Sequence, residues 1–420
     1  MKEDKRMAET YESRMKRINA AVSLKEADRV PLIPVMQGFP VFRAGLSMKD
    51  VVYDFDKGAE AYKQYLRDFE PDAIFGHAYI NMGAGPALEL QQPKSLTWAG
   101  APGTAISDDS IHQFLEFPVL QDDEMELFTK DYTGWVLERA MPRVSGLLEP
   151  FAQAGFSALS PGMNITQLAG LFSTPQMRHV IETLWKISEM SAENNVKSAA
   201  LEAEMEAMGF PVLQKGFAAV PFDSYSDGLR GTINSLTDLY EYEDIVRNYC
   251  AEHLESMLQL VRMEGKMMPG KWVFMALHKG MDGFMSDEQY REFYWHDLQL
   301  IIEEIIKSGM TPYIYTEGEY DSRLDCLKEV TAGKVVYHFE TVDMVRAKKV
   351  LGDTACISGG FPVYLLEHGT RQQVIDECKR LIDGCAGGGG FIFETNYGVD
   401  HTLPGNFEAM METVKEYGKY

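Results

Sequence analysis

The sequence has few cysteines and no pattern that would pair them. Its five cysteines are scattered, no CxxC spacing occurs, and their number is odd. These facts argue against a disulfide framework and favour a reducing compartment. The sequence contains no apolar run long enough to cross a bilayer, and its N-terminal residues are polar throughout, which predicts no signal peptide. We therefore expect a cytoplasmic protein.

Positive charge is scarce as well. The 420 residues include 40 lysines and arginines against 63 aspartates and glutamates, for a formal net charge of −23. Nucleic acids and anionic membrane surfaces attract basic patches, so this excess of acid argues against both as partners. No GxSxG, HExxH or Walker motif occurs. The glycine-rich stretch at 385–390 precedes an apolar strand instead of a helix, and we interpret it as a turn.

Short apolar runs are plentiful and regularly spaced. Hydrophobic residues make up 45% of the chain, enough for a large core. Helical patterns separate the later runs, and this alternation is typical of parallel strands joined by right-handed crossovers. The sequence therefore predicts an α/β fold, a TIM-like (β/α)8 barrel, with a doubly wound open sheet as the alternative. The predicted strands are 29–38, 72–76, 155–159, 212–219, 271–277, 311–316, 335–339, 354–358 and 390–394.

The pattern also predicts the domain organisation. Residues 1–28 form an N-terminal helical extension, and residues 29–420 form a single catalytic barrel domain. An insertion around 80–150, rich in proline, glycine and acidic residues, is expected to form long loops over one end of the barrel. Capping boxes, in which Ser286 and Thr370 each precede a glutamine by three residues, predict the starts of two helices.

Polar side chains follow many of the predicted strands. In a barrel, the carboxyl ends of the strands converge on one mouth, so these side chains are expected to meet there. Zinc accepts histidine and carboxylate ligands, and His278, Glu317 and His338 follow or end consecutive strands. Each residue also has a purely structural interpretation: a carboxylate after a strand is often solvated, as we expect for Glu319, and a histidine in a strand is often a core residue. The candidates are Gln37, Asp223, His278, Tyr315, Glu317, Glu319, His338, Asn396 and Tyr397.

Several long stretches resemble one known family. They are "RMKRINAAVSLKEADRVPLIPV", "VPFDSYSDGLRGTINSLTDLYEYEDIVRNYCAEHLESM", "FMSDEQYREFYWHDLQLIIEEI", "DMVRAKKVLGDTACISGGFPVYLLEHGTRQQVIDECKRLID" and "GGGGFIFETNYGVDHTLPGNFEAM". On these stretches the chain looks like the uroporphyrinogen decarboxylase superfamily, and more closely its corrinoid-dependent methyltransferase branch. The resemblance covers most of 15–420, is weakest around 80–150, and implies a TIM-like barrel.

Departures from the family pattern distinguish its branches. The decarboxylases carry arginines after the first strand that bind porphyrin carboxylates, whereas this chain reads "MQGFPVFR" there, with Gln37 and no paired arginines. The thiol-methylating branch binds zinc through a His-x-Cys-Gly motif. Here the same place holds Tyr315 and Glu317, and the late cysteine expected near 396–397 is missing. An oxygen-and-nitrogen ligand set is harder than a thiolate set and suits an oxygen-bearing substrate.

The resemblance therefore implies an O-demethylase that acts on methoxylated aromatics such as vanillate or veratrol. In that pattern twenty residues separate a glutamate ligand from a histidine ligand, as they separate Glu317 from His338. The pattern's upstream glutamate would fall at Ile302 and is not matched, so His278 or Glu319 is expected as the third ligand. Zinc would activate the ether, and a corrinoid carried by a partner protein would accept the methyl group. Tyr315, Asn396, Tyr397, Gln37 and Asp223 are the expected substrate-binding residues; a methylcorrinoid:thiol methyltransferase or a decarboxylase-like enzyme is the alternative.

Overall fold

The centre of the molecule is a parallel sheet in which each strand pairs with the next along the chain. The computed structural model describes residues 9–75, 81–158 and 165–420. Six of its strands form this sheet, in the order of the sequence, and two short strands form a separate antiparallel pair. The strands are β1 (Leu96–Thr97), β2 (Gln113–Phe114), β3 (Gln214–Phe217), β4 (Trp272–Leu277), β5 (Thr311–Thr316), β6 (Val336–Phe339), β7 (Cys356–Phe361) and β8 (Phe391–Thr395).

A first barrel segment, residues 30–36, lies against the outer edge of β8. Leu32 and Phe393 form a parallel bridge there. Two prolines, Pro31 and Pro34, remove backbone donors from this segment, so only part of the hydrogen-bond ladder can form. The prediction of a strand at this place is confirmed in position, although its pairing is sparse.

A second barrel segment, residues 72–75, closes the remaining gap. The Asp72 amide donates a hydrogen bond of 2.9 Å to the Leu32 carbonyl. On the other side, Ile74 and Val212 form a parallel bridge just before β3. Eight extended segments therefore close into a ring, which confirms the predicted TIM-like (β/α)8 barrel.

Helices surround this ring. None of them, among the residues that the structure describes, is long and apolar enough to cross a membrane. In the first half the helices are α1 (Tyr11–Val22), α2 (Phe39–Arg43), α3 (Met48–Tyr53), α4 (Phe55–Phe69), α5 (Gly85–Gln91), α6 (Met125–Lys130), α7 (Tyr132–Trp135), α8 (Met141–Val144), α9 (Ile165–Leu171) and α10 (Pro175–Ala207). In the second half they are α11 (Pro221–Tyr225), α12 (Gly231–Glu241), α13 (Glu243–Met267), α14 (Asp287–Tyr290), α15 (His296–Lys307), α16 (Leu324–Leu327), α17 (Met344–Leu351), α18 (Tyr364–His368), α19 (Arg371–Cys385) and α20 (Asn406–Tyr417).

The barrel interior is packed with side chains, because alternate residues of each strand point inward. Seven of the eight segments, together with Leu213 directly before β3, contribute to a single buried cluster, and α1 adds Ile18, Ala21 and Val22 from the amino-terminal end of the strands. The barrel residues of this cluster are Ile33, Ala73, Phe75, Leu213, Trp272, Phe274, Tyr313, Val336, Cys356 and Ile392.

A buried ion cluster lies at the same end as α1. Asp72 is fully buried and accepts hydrogen bonds from Arg29, at 2.6 Å and 2.8 Å, and from Arg17. It also accepts the Leu32 amide at 2.7 Å. One carboxylate therefore ties α1 and both barrel segments together.

The region between the second barrel segment and β3 contains more regular structure than expected. Residues 81–150 hold α5, the β1–β2 pair and α6 to α8, where the sequence indicated long loops. The predicted strand at 155–159 is wrong. Phe156–Ala158 form a 3-10 turn, and the Phe156 ring packs against Phe151 in a small cluster away from the barrel. Residue 159 lies outside the described residues.

Both predicted capping boxes are present. Ser286 caps α14 and Thr370 caps α19, each with a glutamine at the third helical position. A π-helical segment, Arg291–Trp295, joins α14 to α15, so the helix that begins after the Ser286 cap continues to Lys307. The cap prediction worked because it depends only on residues three apart in the sequence.

Candidate active site

A cavity of about 260 Å³ opens at the carboxyl ends of the strands. An apolar cavity of about 150 Å³ already accommodates benzene, so this one has room for a substituted ring. Its wall combines five aromatic side chains with two carboxylates. The lining residues are Val35, Met36, Gln37, Phe75, Phe274, Tyr313, Tyr315, Glu317, Glu340, Tyr397 and Gly398.

The end of β5 supplies three neighbouring residues of this wall. Tyr313, Tyr315 and Glu317 alternate along the chain, and the two-residue period of a strand places all three on the inner side. Gly318 follows with φ of +81°, a left-handed conformation that suits glycine, and the chain then turns outward. Glu319 is exposed and does not line the cavity.

Glu317 faces His278 across the gap between β5 and β4. Glu317 Oε1 lies 3.6 Å from His278 Nε2. The other ring nitrogen, Nδ1, is hydrogen-bonded to Asp227. Burial alone would lower the pKa of His278, but the carboxylates of Asp227, Asp223 and Glu317 raise it to about 9. Burial raises the pKa of Glu317, with a further contribution from Asp227.

Two aspartates on one helical turn hold this arrangement in place. Asp223 and Asp227 are four residues apart, so both face the end of β4. Asp223 is buried and accepts the backbone amides of His278 at 3.2 Å and Lys279 at 2.9 Å, and the hydroxyl of Tyr294 at 2.5 Å. Burial raises the pKa of Asp223 to about 6. Asp223, predicted to bind substrate, thus lies behind His278 and not on the cavity wall.

Asp227 lies between two cations. It is bonded to His278 and, at 3.0 Å, to the ammonium group of Lys279. Burial by itself raises the pKa of Asp227, but these two partners hold it below the ordinary value. The sequence signal that would have identified Asp227 is its spacing of four residues from Asp223.

His338 occupies a different position, inside the barrel. It is fully buried, and its ring stacks on Tyr315 with centroids 4.2 Å apart. Nδ1 lies 2.7 Å from Glu394 Oε2, and Nε2 lies 3.1 Å from the Asn396 carbonyl oxygen. Tyr313 donates to the same Glu394 oxygen at 2.7 Å. Both ring nitrogens of His338 therefore face protein oxygens.

The remaining predicted residues have different surroundings. Gln37 and Tyr397 line the cavity. Asn396 connects two loops, because its amide donates to the Glu340 carbonyl at 3.3 Å and its side-chain oxygen accepts the Val363 amide at 3.0 Å. Its side chain therefore supports the rim and does not line the cavity.

Sequence reasoning missed Glu340. It follows β6 two residues after His338, on the same side of the strand, and it lines the cavity. One carboxylate oxygen accepts the Gly318 amide at 2.7 Å. Burial raises the pKa of Glu340, and the charge of Glu317 adds to the effect. The signal was present, since Glu340 follows a buried strand as Glu317 does.

The expected zinc ion can be tested against these side chains. Two ligands bound about 2.0–2.1 Å from a tetrahedral zinc lie roughly 3.4 Å apart, close to the 3.6 Å between His278 and Glu317. The bond from His278 to Asp227 is the outer contact that metal-binding histidines usually make. This pair fits two ligands of one ion. Among the described residues, however, no three His, Cys, Asp or Glu side chains are grouped to hold a metal, and His338 as a ligand stays a prediction.

Comparisons with known proteins identify relatives for this chain. Residues 175–417 match the family model described as "Uroporphyrinogen decarboxylase (URO-D)". A solved structure, a methyltransferase from Methanosarcina mazei, superposes with a TM-score of 0.59 over 97% of this chain and 99% of that one. The two sequences are 13% identical, so this likeness shows a shared fold. The search of curated proteins found no match.

Proposed function

The chain belongs to the uroporphyrinogen decarboxylase family, and from this premise we propose that it is a methyltransferase that removes the methyl group of an aryl methyl ether. The acceptor in this proposal is the cobalt(I) of a corrinoid carried by a partner protein. The observation that carries the proposal is the cavity at the carboxyl ends of the strands, called the mouth cavity below. Its aromatic walls suit a ring, and at its edge Glu317 lies near His278.

Porphyrinogen decarboxylation is a poorer fit to this cavity. A porphyrinogen carries several carboxylates and requires cationic partners. The described residues that line the cavity include no lysine, arginine or histidine, and Gln37 stands where the decarboxylases place arginine. The two carboxylates of the wall would repel such a substrate.

Methylation of a thiol is the second alternative, and the side chains at the rim favour an oxygen substrate. Glu317 replaces the cysteine that the thiol-methylating branch places here. An oxygen-and-nitrogen pair, Glu317 with His278, is a harder ligand set than a thiolate site and has less affinity for sulfur.

The residues of the chain would act on the substrate as follows. The rings of Phe75, Phe274 and Tyr315 hold the arene and exclude water from the ether. His278 and Glu317 would hold zinc, which when bound supplies Lewis-acid polarisation of the ether oxygen. In this proposal the C–O bonding pair would stay on oxygen as the phenolate leaves, and the partner's corrinoid would supply the two electrons that bind the methyl group.

A direct assay tests the proposal. The protein is incubated with zinc, a reduced corrinoid protein and a panel of methoxyarenes, and the cobalt absorbance is followed. Conversion of the cobalt(I) spectrum to that of methylcobalt, with release of the phenol, is the expected result. Methyl transfer from methylcobalt to a thiol, with no reaction of any ether, would instead assign the thiol methyltransferase activity.

Zinc binding should strengthen as the pH rises. The pKa of His278 is raised to about 9, so the ring is protonated at neutral pH, and zinc must displace that proton. Below this pKa, each unit of pH increases the neutral fraction of the ring about tenfold, and the Kd for zinc should fall by about the same factor. Above the pKa, this dependence should level off. Competition with a chromophoric chelator over a pH series measures the slope.

The variant Asp227→Asn provides the control. Removal of this carboxylate lowers the pKa of His278, so the plateau should begin at a lower pH. A zinc affinity that does not depend on pH in the wild-type protein would contradict His278 as a ligand.

A further inference from the structure

Glu340 is fixed in the wall of the mouth cavity by contacts with two neighbouring loops. The Gly318 amide donates to its carboxylate at 2.7 Å, and Thr341 donates to the Gly318 carbonyl at 2.8 Å. The side chain of Asn396 donates to the Glu340 carbonyl at 3.3 Å. Glu340 is therefore held in one position before any ligand enters, which reduces the entropic cost of binding to it.

Among the described residues, no lysine or arginine pairs with Glu340, and the charge of His338 only partly offsets burial and the charge of Glu317, which raise the pKa of Glu340. The nearby basic side chains are already paired, since Lys279 is bonded to Asp227 and His278 lies between Asp227 and Glu317. Among the described residues, Glu340 takes part in no ion pair within 4.0 Å. A half-buried carboxylate that has no ion-pair partner creates a strong local preference for a positive charge.

The rest of the wall supports the same preference. Aromatic faces attract organic cations through their quadrupoles, and cages of such rings recognise ammonium groups in other proteins. Here Phe75, Phe274, Tyr313, Tyr315 and Tyr397 surround the space into which Glu340 faces. Burial, together with the charge of Glu340, raises the pKa of Tyr397, so the hydroxyl beside this carboxylate stays neutral.

A buried carboxylate, Glu394, lies behind the inner end of the cavity, where His338 contacts one of its oxygens. Tyr313 forms part of the wall, and Glu394 accepts its hydroxyl from within the barrel. Glu394 is 1% exposed, and its second oxygen, Oε1, has no hydrogen-bond partner among the described residues. A ligand with a diffuse positive charge would thus meet electron-rich groups on several sides.

We propose that the mouth cavity selects a methylated aromatic substrate that carries an organic ammonium group, with Glu340 as its counter-ion. The identification of the methyl ether as the reacting group depends on the proposed function, whereas the charge selection depends only on the cavity. Anionic methoxyarenes such as vanillate are excluded by this inference, and neutral ones are weak ligands.

The test compares three ligands that differ mainly in charge. A methoxybenzylammonium ion, methoxybenzyl alcohol and methoxybenzoate are titrated into the zinc-loaded protein at neutral pH and low salt by calorimetry. We expect the ammonium ion to bind about tenfold or more tightly than the alcohol, and the benzoate to show no binding. Added salt should weaken binding of the ammonium ion and leave the affinity of the alcohol unchanged.

Two variants locate the effect. In Glu340→Gln the affinities of the ammonium ion and the alcohol should become equal, while the alcohol keeps its wild-type affinity. Glu367→Gln removes an acid from α18, which does not line the cavity, and should preserve the preference. If Glu340→Gln disturbs the fold and no longer binds the alcohol, the affinities of the three ligands for the wild-type protein test the inference by themselves. Equal binding of the ammonium ion and the alcohol, or tighter binding of benzoate, would overturn the inference.

The methyl-transfer assay separates this inference from the proposed function. Selective binding of the ammonium ion without any methylcobalt would leave the charge selection standing and remove the methyltransferase proposal. Demethylation that is fastest for the benzoate or the alcohol would support the methyltransferase proposal and remove the charge selection.

Discussion

Replacement of Glu317 by glutamine is expected to lower the rate of ether demethylation by at least about a hundredfold. Removal of a residue that only hydrogen-bonds to a metal ligand typically lowers metal affinity or activity about 10- to 100-fold. Glu317 is proposed to bind the metal directly, so a larger effect is expected. The amide is nearly isosteric, but it is neutral and a poor zinc ligand. Zinc content by elemental analysis should fall together with the rate measured from the cobalt absorbance.

Two further variants show which residues share this role. Glu319→Gln tests the exposed neighbour, since loss of zinc in this variant would make Glu319 the third ligand. His338→Ala tests the buried histidine in the same way. Retention of a full zinc equivalent in both Glu317→Gln and His278→Ala would rule out the pair on which the mechanism rests.

Replacement of Asp72 by alanine should cost about 3–5 kcal/mol of the free energy of unfolding. Removal of one partner of a buried ion pair is strongly destabilising, and here two buried arginines lose their shared carboxylate. The more exposed Glu9 and Asp28 still pair with these arginines, so the loss should lie towards the lower end of this range. The amide of Leu32 loses its acceptor as well. The midpoint of urea denaturation, followed by circular dichroism, measures the change.

Two substitutions serve as controls for Asp72. Asp72→Asn keeps an oxygen for the Leu32 amide and removes only the charge, so an intermediate loss is expected. Asp353→Ala removes an exposed aspartate from a turn and should shift the midpoint little. If Asp72→Ala and Asp353→Ala shift the midpoint equally, the buried cluster does not stabilise the barrel.

The strands of the barrel could be predicted because each is a short apolar run bounded by turn residues. The failure at 155–159 shows the limit of that signal. A run of five small or apolar residues fits a strand or a single helical turn equally well, and in the structure the Phe156 ring packs against Phe151 away from the barrel. The number of predicted strands suggested a closed barrel, but only the structure shows the bridges of residues 30–36 and 72–75 that close it.

The candidate site was only partly predictable, for a related reason. Glu317 could be found because it directly follows the strand that positions it. The environment of His338 could not, because its partner Glu394 lies 56 positions away. The spacing of Glu317 and His338 measures distance along the chain, whereas the structure places His278, from another strand, beside Glu317.

The seam between the first barrel segment and β8 has a consequence for synthesis of the protein. The Val35 amide bonds to the Thr395 hydroxyl at 3.1 Å, and these residues are 360 positions apart. During translation, the edge of the first segment that faces β8 therefore stays unpaired until almost the whole barrel has been synthesised. An unpaired strand edge exposed for that long invites pairing with other chains. Pro31 removes a donor from this unpaired edge, so the residue that weakens the finished pairing with β8 also protects the nascent chain from aggregation.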